Sequence, residues 1–288
     1  EARLITWTKE IAVSGAVGQD INRLLRDALA RLDASDIRPV AVLNDTTATL
    51  LSGSYLRPGC AVGSIMGTGH NTCYMQPGTG ILNLESGNFD GAFETVYDRR
   101  LDQTSERPQA QLLEKKTSGH YLGEIVRSAF MDLASPAQRS ESAQWLEIED
   151  LSKPWSLPTT QISRLLELCE SGQAAPAPPR PSGTDLMLEL SRRVTARSAR
   201  LVAATFLGIL DHLAPEMDPA DPASPGISVD GSLYEKTPGY QAALKNALQE
   251  GWARRRSRGS WPAAAPSWIF IQDGSSLGAA LAACQNQQ

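Results

Sequence analysis

The chain has 288 residues, of which 41% are hydrophobic and 20% are charged, and its formal net charge is −5. A globular chain of this length buries roughly three quarters of its surface, so a sizeable core is expected and disorder of the whole chain is excluded. The 27 basic residues are spread among 32 acidic ones, which argues against a nucleic-acid scaffold. The sequence lacks the run of about 18 apolar residues that a membrane-spanning helix needs.

The cysteines and histidines are few and scattered. The four cysteines lie far apart without a CxxC pair, which is typical of reduced thiols in a cytoplasmic protein rather than of disulfides or a zinc site. None of the three histidines stands four residues from another, so no metal centre is predicted.

The first elements along the chain alternate between helix and strand. Residues 19–33 carry apolar side chains at helical spacing, which predicts an amphipathic helix. Residues 39–43 (PVAVL) form a short apolar run, the pattern of a buried strand. Residues 46–55 then predict a helix and residues 60–66 (CAVGSIM) a second strand. Strand, helix and strand joined by short turns indicate an α/β fold.

The second half of the chain is dominated by helical patterns. A long one covers residues 110–133 with a glycine-containing interruption at 118–120, and others cover 158–170 and 185–212. Two short strands at 227–229 and 268–271 precede a small-residue helix at 277–284. Three segments rich in proline or small polar residues predict surface loops within one domain, namely 172–183, 214–226 and 255–266.

Asn44 and Asp45 follow the first predicted strand directly, at the start of a predicted helix. In open α/β sheets ligands bind beyond the carboxyl ends of the strands, so Asp45 is placed to face a substrate. The alternative is that Asp45 or Thr46 merely caps the helix, a role that both side chains favour.

A second motif, Gly67-Thr68-Gly69, follows the strand at 60–66. Glycines leave backbone N–H groups accessible and the threonine hydroxyl adds a donor, which suits phosphate binding without a cation. A plain hairpin turn explains the same string equally well. Asp230-Gly231-Ser232 and Asp273-Gly274-Ser275 also follow predicted strands, and the repetition suggests several loops converging on one nucleotide.

Taken together, these motifs resemble the hexokinase family from Leu4 to about Ala283. The strings that carry the resemblance occur in the family's order: LITWTK, VLNDTTATLLSGSY, GTGHNTCYM, NLESGNF, VYDRRLD, QLLEKKTSGHYLGEIVR, VDGSLYEKTPGY and DGSSLGAAL. The resemblance implies an actin-like ATPase (ribonuclease H-like) fold and phosphorylation of a glucose-like hexose at its 6-hydroxyl by ATP with Mg²⁺. The charge distribution and the lack of a long apolar run, described above, predict that neither a nucleic acid nor a membrane is a partner.

The resemblance assigns roles to individual residues. Asp45 is similar to the general base that takes the proton of the sugar hydroxyl as this oxygen attacks the γ-phosphoryl group. Side chains that resemble the family's sugar contacts are Thr8, Lys9, Asn44, Asn71, Glu85 and Glu114. Residues that resemble its nucleotide contacts are Gly67, Thr68, Gly69, Gly231 and Ser232. Without the resemblance, Glu114 beside Lys115 and Lys116 would be interpreted as part of a solvated ion-pair face.

The sequence also departs from the family's pattern. A Gly-Gly-Thr phosphate loop and a Ser-Phe-Pro strand, which family members carry upstream of the Thr8-Lys9 position, do not occur in these 288 residues. We therefore expect residues 1–43 to be a remnant of the small domain, 44–273 the large domain, and 274–288 a helix returning toward the small domain. The missing small-domain segment is expected to complete the active site. Thr195 to Ser198 match the family's nucleotide-contact string only partly. The alternative function is a noncatalytic, sugar-binding or regulatory relative.

Overall fold

A computed structural model of the chain describes residues 3–5, 13–170, 182–216, 225–257 and 265–285. Thr8 and Lys9 lie outside the described residues. The described α-helices are α1 (Ile21–Arg31), α2 (Asp45–Leu56), α3 (Val96–Thr104), α4 (Leu112–Thr117), α5 (Leu122–Leu133), α6 (Pro136–Trp145), α7 (Thr159–Glu170), α8 (Ser182–Leu213), α9 (Ser232–Lys236), α10 (Tyr240–Arg256) and α11 (Gly274–Gln285). Short 3₁₀-helices cover Ser86–Asn88 and Ala214–Glu216.

The strands form one mixed five-stranded sheet in the order β3-β2-β1-β4-β5. Their bounds are β1 (Cys60–Met66), β2 (His70–Gln76), β3 (Gly80–Asn83), β4 (Gly226–Asp230) and β5 (Ser267–Phe270). β1, β2 and β3 are antiparallel neighbours, whereas β1, β4 and β5 run parallel. Since Ile65 pairs with Asp230, the carboxyl ends of β1 and β4 meet at one edge of the sheet. This arrangement confirms the predicted α/β class.

The main core lies between the sheet and the helices around α8. Val62 and Val229 from the two central strands are fully buried there with Phe206 of α8. On the other face the backbone of α2 lies close to the sheet, because β1 carries a glycine at the contact: a Cβ added at Gly63 would lie 2.7 Å from Leu50 Cβ. α11 packs against the outer side of α2.

Residues 39–43 are not a strand, contrary to the sequence prediction. They pair with no strand among the described residues, and Val40 and Val42 remain 40% and 41% exposed. An apolar run becomes a strand only where a neighbour accepts its backbone hydrogen bonds, and the described sheet offers none at this position. The helices predicted around it are present, as are the strands at 60–66, 227–229 and 268–271.

Of the three predicted loops, residues 171–181, 217–224 and 258–264 lie outside the described part of the chain. None of the helices described has both the length and the apolar character needed to cross a bilayer.

Candidate active site

The Gly67-Thr68-Gly69 string forms the turn of the β1–β2 hairpin. The N–H of Gly67 donates to the carbonyl of Gly69 at 3.0 Å, and Met66 pairs with His70. The hairpin-turn interpretation is therefore right for the backbone. The same turn also lines a cavity, to which buried Gly67 and exposed Thr68 both contribute.

This cavity, which we call the donor cavity, has a volume of about 480 Å³ and is lined by Gly67, Thr68, Gly119, His120, Ser232 and Lys236 among others. The loop after β4 reaches the hairpin because Gly231 has φ of +119°, and a Cβ there would lie 2.4 Å from the Met66 carbonyl oxygen. The predicted phosphate loops at 67–69 and 231–232 thus come together at the carboxyl ends of two parallel strands, where fold logic places a ligand.

A third loop, Gly119-His120, belongs to the donor cavity, and sequence reasoning did not assign it. The N–H of Gly119 donates to the Gly67 carbonyl at 2.7 Å, and the N–H of His120 donates to the Thr68 carbonyl at 3.2 Å. The signal available in the sequence was the glycine that interrupts the helical pattern between α4 and α5.

The Asp230 carboxylate joins the two Asp-Gly-Ser motifs. Its Oδ1 accepts the Gly231 N–H at 2.6 Å, and its Oδ2 accepts the Ser275 N–H at 3.4 Å. This carboxylate connects the loop after β4 to the first turn of α11. The motif at 273–275 therefore helps to hold the loop that contributes Ser232 to the donor cavity.

A cluster of amide and carboxylate side chains lies beside the hairpin, and we call it the acceptor cluster: Asn44, Asn71, Asn83 and Glu85. Glu85 Oε1 accepts from Asn83 Nδ2 at 2.8 Å, from Asn71 Nδ2 at 3.3 Å and from Asn44 Nδ2 at 3.4 Å. Asn71 Nδ2 also donates to Asn83 Oδ1 at 2.8 Å. Three predicted sugar contacts therefore share one hydrogen-bond network.

Asn83 was missed by the sequence analysis, although it stands two residues before Glu85 in the quoted NLESGNF string. The chain turns sharply there, since Glu85 adopts a left-handed conformation with φ of 49°. The turn at Glu85 is held by Ser86, whose N–H donates to Asn71 Oδ1 at 3.1 Å. A non-glycine residue in this region stores strain, which is commonly found at binding sites.

Glu114 lies next to this cluster and is only 3% exposed. Its Oε2 accepts the backbone N–H of His70 at 2.9 Å, so the carboxylate is positioned by the residue that precedes Asn71. Gly87 permits the approach, because a Cβ there would lie 3.0 Å from Glu114 Cβ.

The solvated-face interpretation of this helix is wrong. Lys115 is buried and donates to Asp102 Oδ1 at 2.5 Å, and buried Lys116 donates to the Ala92 carbonyl at 3.1 Å. Both lysines are therefore buried partners in the packing of α4 rather than solvated groups.

Asp45 is the first residue of α2 and is exposed. The N-cap of that helix is Asn44, whose Oδ1 accepts the Thr46 N–H at 3.0 Å, while Asp45 Oδ1 accepts the same N–H at 2.8 Å. The N-cap of α2 is thus Asn44, a member of the acceptor cluster, rather than Asp45 or Thr46 as the alternative predicted. Asp45 lies one residue from that cluster, and its catalytic role stays a prediction.

No group of three histidine, cysteine or acidic side chains placed to hold a metal ion is found in the described ranges.

Two sequence models of known families match the chain, and the descriptions of both read "Hexokinase"; one covers residues 61–285 and the other residues 1–55. The chain belongs to the hexokinase family.

Similar proteins include human Hexokinase-3, 32% identical over 96% of this chain and 31% of its own length, and Hexokinase-7 of Oryza sativa subsp. japonica, 32% identical over 99% of this chain and 65% of its own length. The chain therefore spans less than two thirds of each of these relatives. A solved hexokinase structure superposes with a TM-score of 0.70 at 27% identity, covering 99% of this chain and 64% of the other. A hexokinase from Schistosoma mansoni complexed with glucose gives 0.71 at 25% identity, covering 97% and 66%. These likenesses confirm the predicted fold.

Proposed function

We propose that this hexokinase-family chain takes part in ATP-dependent phosphorylation of a glucose-like hexose at its 6-hydroxyl. The observation that carries the proposal is the β1–β2 hairpin, which lines the donor cavity through Gly67 and Thr68 and reaches the acceptor cluster through Asn71. A phosphate donor and a polyol acceptor held by one hairpin would be oriented toward each other, which is what direct transfer requires.

The acceptor cluster suits a sugar because carboxylates and amides bind neighbouring hydroxyls in pairs. Glu85 and Glu114 each accept hydrogen bonds, and Asn44 and Asn71 supply both donors and acceptors. The structure of the Schistosoma mansoni relative with glucose supports a glucose-like substrate. Thr8 and Lys9 are proposed to contact the same sugar.

The donor cavity suits a polyphosphate because two glycines, Gly67 and Gly119, contribute to its lining without bulky side chains. The Thr68 and Ser232 hydroxyls add hydrogen-bond donors there, and Gly69 and Gly231, which are next to these two residues in the chain, are proposed to contact the phosphates as well. Magnesium would arrive bound to ATP and neutralise its oxygens, held mainly by the nucleotide and water. Asp45 is proposed to accept the proton of the attacking hydroxyl.

We also propose that a further small-domain segment closes over this site and excludes water, with residues 1–43, 44–273 and 274–288 divided between the domains as predicted. A cytoplasmic location remains part of the proposal.

A coupled assay with glucose, ATP and Mg²⁺ tests the proposal, using this chain and any longer protein that its gene encodes. Asp45→Asn keeps the shape of the side chain and removes the base, so we expect kcat to fall by about 100- to 10,000-fold with little change in glucose affinity. Asp27→Asn, at an exposed position on α1, is the matched control. Unchanged turnover in Asp45→Asn refutes the assigned base. Glucose binding without any turnover in this chain and in any such longer protein favours the noncatalytic alternative.

A further inference from the structure

His120 lies at the junction of two cavities. One is the donor cavity, and the other, of about 360 Å³, is lined by Gln111, Glu114, Tyr121 and Trp155 among others. In the part of the chain that the structure describes, His120 is the residue that these two linings share. Its side chain therefore stands between the nucleotide loops and the carboxylate of Glu114.

The backbone of His120 is attached to the hairpin that both substrates use. Its N–H donates to the Thr68 carbonyl at 3.2 Å, and two residues further along the hairpin the N–H of His70 donates to Glu114 Oε2 at 2.9 Å. Because one short turn fixes both groups, the position of His120 relative to the acceptor side is set by backbone hydrogen bonds.

The imidazole ring is also held in place. It stacks on Trp155 with ring centroids 5.5 Å apart and an angle of 24°, and it contacts the Tyr121 ring edge-to-face at 4.7 Å.

Trp155 itself has φ of 66°, and its N–H donates to Glu124 Oε2 at 2.6 Å. Glu124 in turn forms a buried bidentate pair with Arg127. A left-handed tryptophan that is fixed by a buried ion pair presents a rigid platform, so the exposed histidine is preorganised for a ligand.

The donor cavity is lined by Arg164 and Lys236 as well as by Glu167, and two cations against one carboxylate favour an anionic ligand such as a phosphate beside this ring. Lys115 is occupied by Asp102 and by the Arg107 carbonyl, at 2.5 and 2.7 Å, so it is not available to a ligand. Glu114 lines the second cavity and would repel a phosphate that came too close to it. A hydrogen-bond donor between the two cavities is what a phosphoryl group requires as it moves from the nucleotide to the sugar.

We propose that the His120 imidazole donates an N–H hydrogen bond to the terminal phosphates of the bound nucleotide. The inference rests on the proposed function and adds a residue to it. The ring contacts the polyphosphate rather than the base, and the Trp155 platform holds it at the junction.

The test is calorimetric binding of a nonhydrolysable ATP analogue and of AMP to the wild-type chain, His120→Ala and His120→Gln. One lost hydrogen bond to a charged group predicts that His120→Ala weakens analogue binding roughly ten- to hundredfold. AMP affinity should not change, and glutamine, which retains an N–H donor, should restore part of the loss. His212→Ala is the matched control, since His212 is also exposed but contacts Gln76 and Tyr74 instead of either cavity.

Equal analogue affinity in His120→Ala and wild type overturns the role of His120 and leaves the proposed function standing. An equal loss of AMP and analogue affinity also overturns it, because the ring would then act on the nucleoside. If the wild-type chain and any longer protein that its gene encodes bind no analogue at all, the proposed function fails and this inference fails with it.

Discussion

Arg197 on α8 forms a two-pronged ion pair with Asp98 on α3. Nη1 and Nη2 each lie 2.7 Å from a different carboxylate oxygen. The Asp98 side chain is 3% exposed and that of Arg197 is 24% exposed. Burial alone would raise the pKa of Asp98, but the hydrogen bonds and charge of Arg197, with help from Thr95, outweigh it and hold the pKa below its ordinary value of 3.8.

Replacing Arg197 by alanine leaves that carboxylate buried without its cation. Breaking a buried pair in this way typically costs about 3–5 kcal/mol of folding free energy. Asp98 keeps two hydrogen bonds from Thr95, at 2.6 and 2.8 Å, so we expect a loss near the lower end, about 3 kcal/mol. Arg193→Ala is the matched control on the same helix, because its pair with Glu189 is 76% and 49% exposed and such a pair contributes about 0–1 kcal/mol.

Urea denaturation of the three proteins at neutral pH measures this difference. The pH dependence gives a second check. A carboxylate whose folded pKa is depressed adds stability above its unfolded pKa and loses it as the pH falls through the folded value. The stability gap between wild type and Arg197→Ala should therefore narrow as the pH drops below about 4.

Two outcomes refute this reasoning: an Arg197→Ala protein that is no less stable than Arg193→Ala, or a stability difference between wild type and Arg197→Ala that stays constant in acid.

The Arg197→Ala variant also tests the segment 195–198, where the sequence only partly matches the family's nucleotide-contact string. Since the guanidinium is committed to Asp98, nucleotide affinity should be nearly unchanged in Arg197→Ala.

Two further predictions concern packing and thiol chemistry. Gly278→Ala should destabilise by about 1–3 kcal/mol, because the new Cβ would lie 1.9 Å from the Ala48 carbonyl oxygen and α11 must move off α2; Gly208→Ala on α8, where nothing lies within 4 Å, should instead stabilise by about 0.5–1 kcal/mol, and equal urea midpoints contradict the argument. Burial raises the pKa of the Cys73 thiol to about 12, so peptide mapping after alkylation of the native protein at mildly alkaline pH should find exposed Cys284 modified and Cys73 protected. Rapid modification of Cys73 in the folded chain would show that the β1–β2 face is open.

The sequence pattern predicted most helices and strands that bury apolar side chains, although the apolar run at 39–43 is not a strand. The run at 60–66 and the small-residue helix at 277–284 are examples of those predicted. It failed for β2, where the buried side chains begin with His70, Asn71 and Thr72. Polar groups are buried there because hydrogen bonds satisfy them, and that compensation depends on partners elsewhere in the chain.

The candidate site shows the same division. The resemblance named Asn44, Asn71, Glu85 and Glu114, and the structure brings the first three into one network and the fourth beside it. Asn83 and His120 escaped notice because their positions depend on tertiary contacts: a left-handed turn at residue 85 for the first, and the docking of the α4–α5 loop on the hairpin for the second. Neither contact can be predicted from the spacing of residues along the chain.

The parallel pairing of β1 with β4 has a consequence for how the protein acquires its function. The Ser228 hydroxyl donates to the carbonyl of Val62, a residue 166 positions earlier in the chain. Contacts that distant in sequence form slowly, because a large loop must be ordered before they are gained. During synthesis the glycine turn after β1 emerges long before its counterpart after β4. The donor cavity is therefore complete only once β1 and β4 have paired, so a ligand of that cavity would stabilise the paired sheet rather than the chain before pairing.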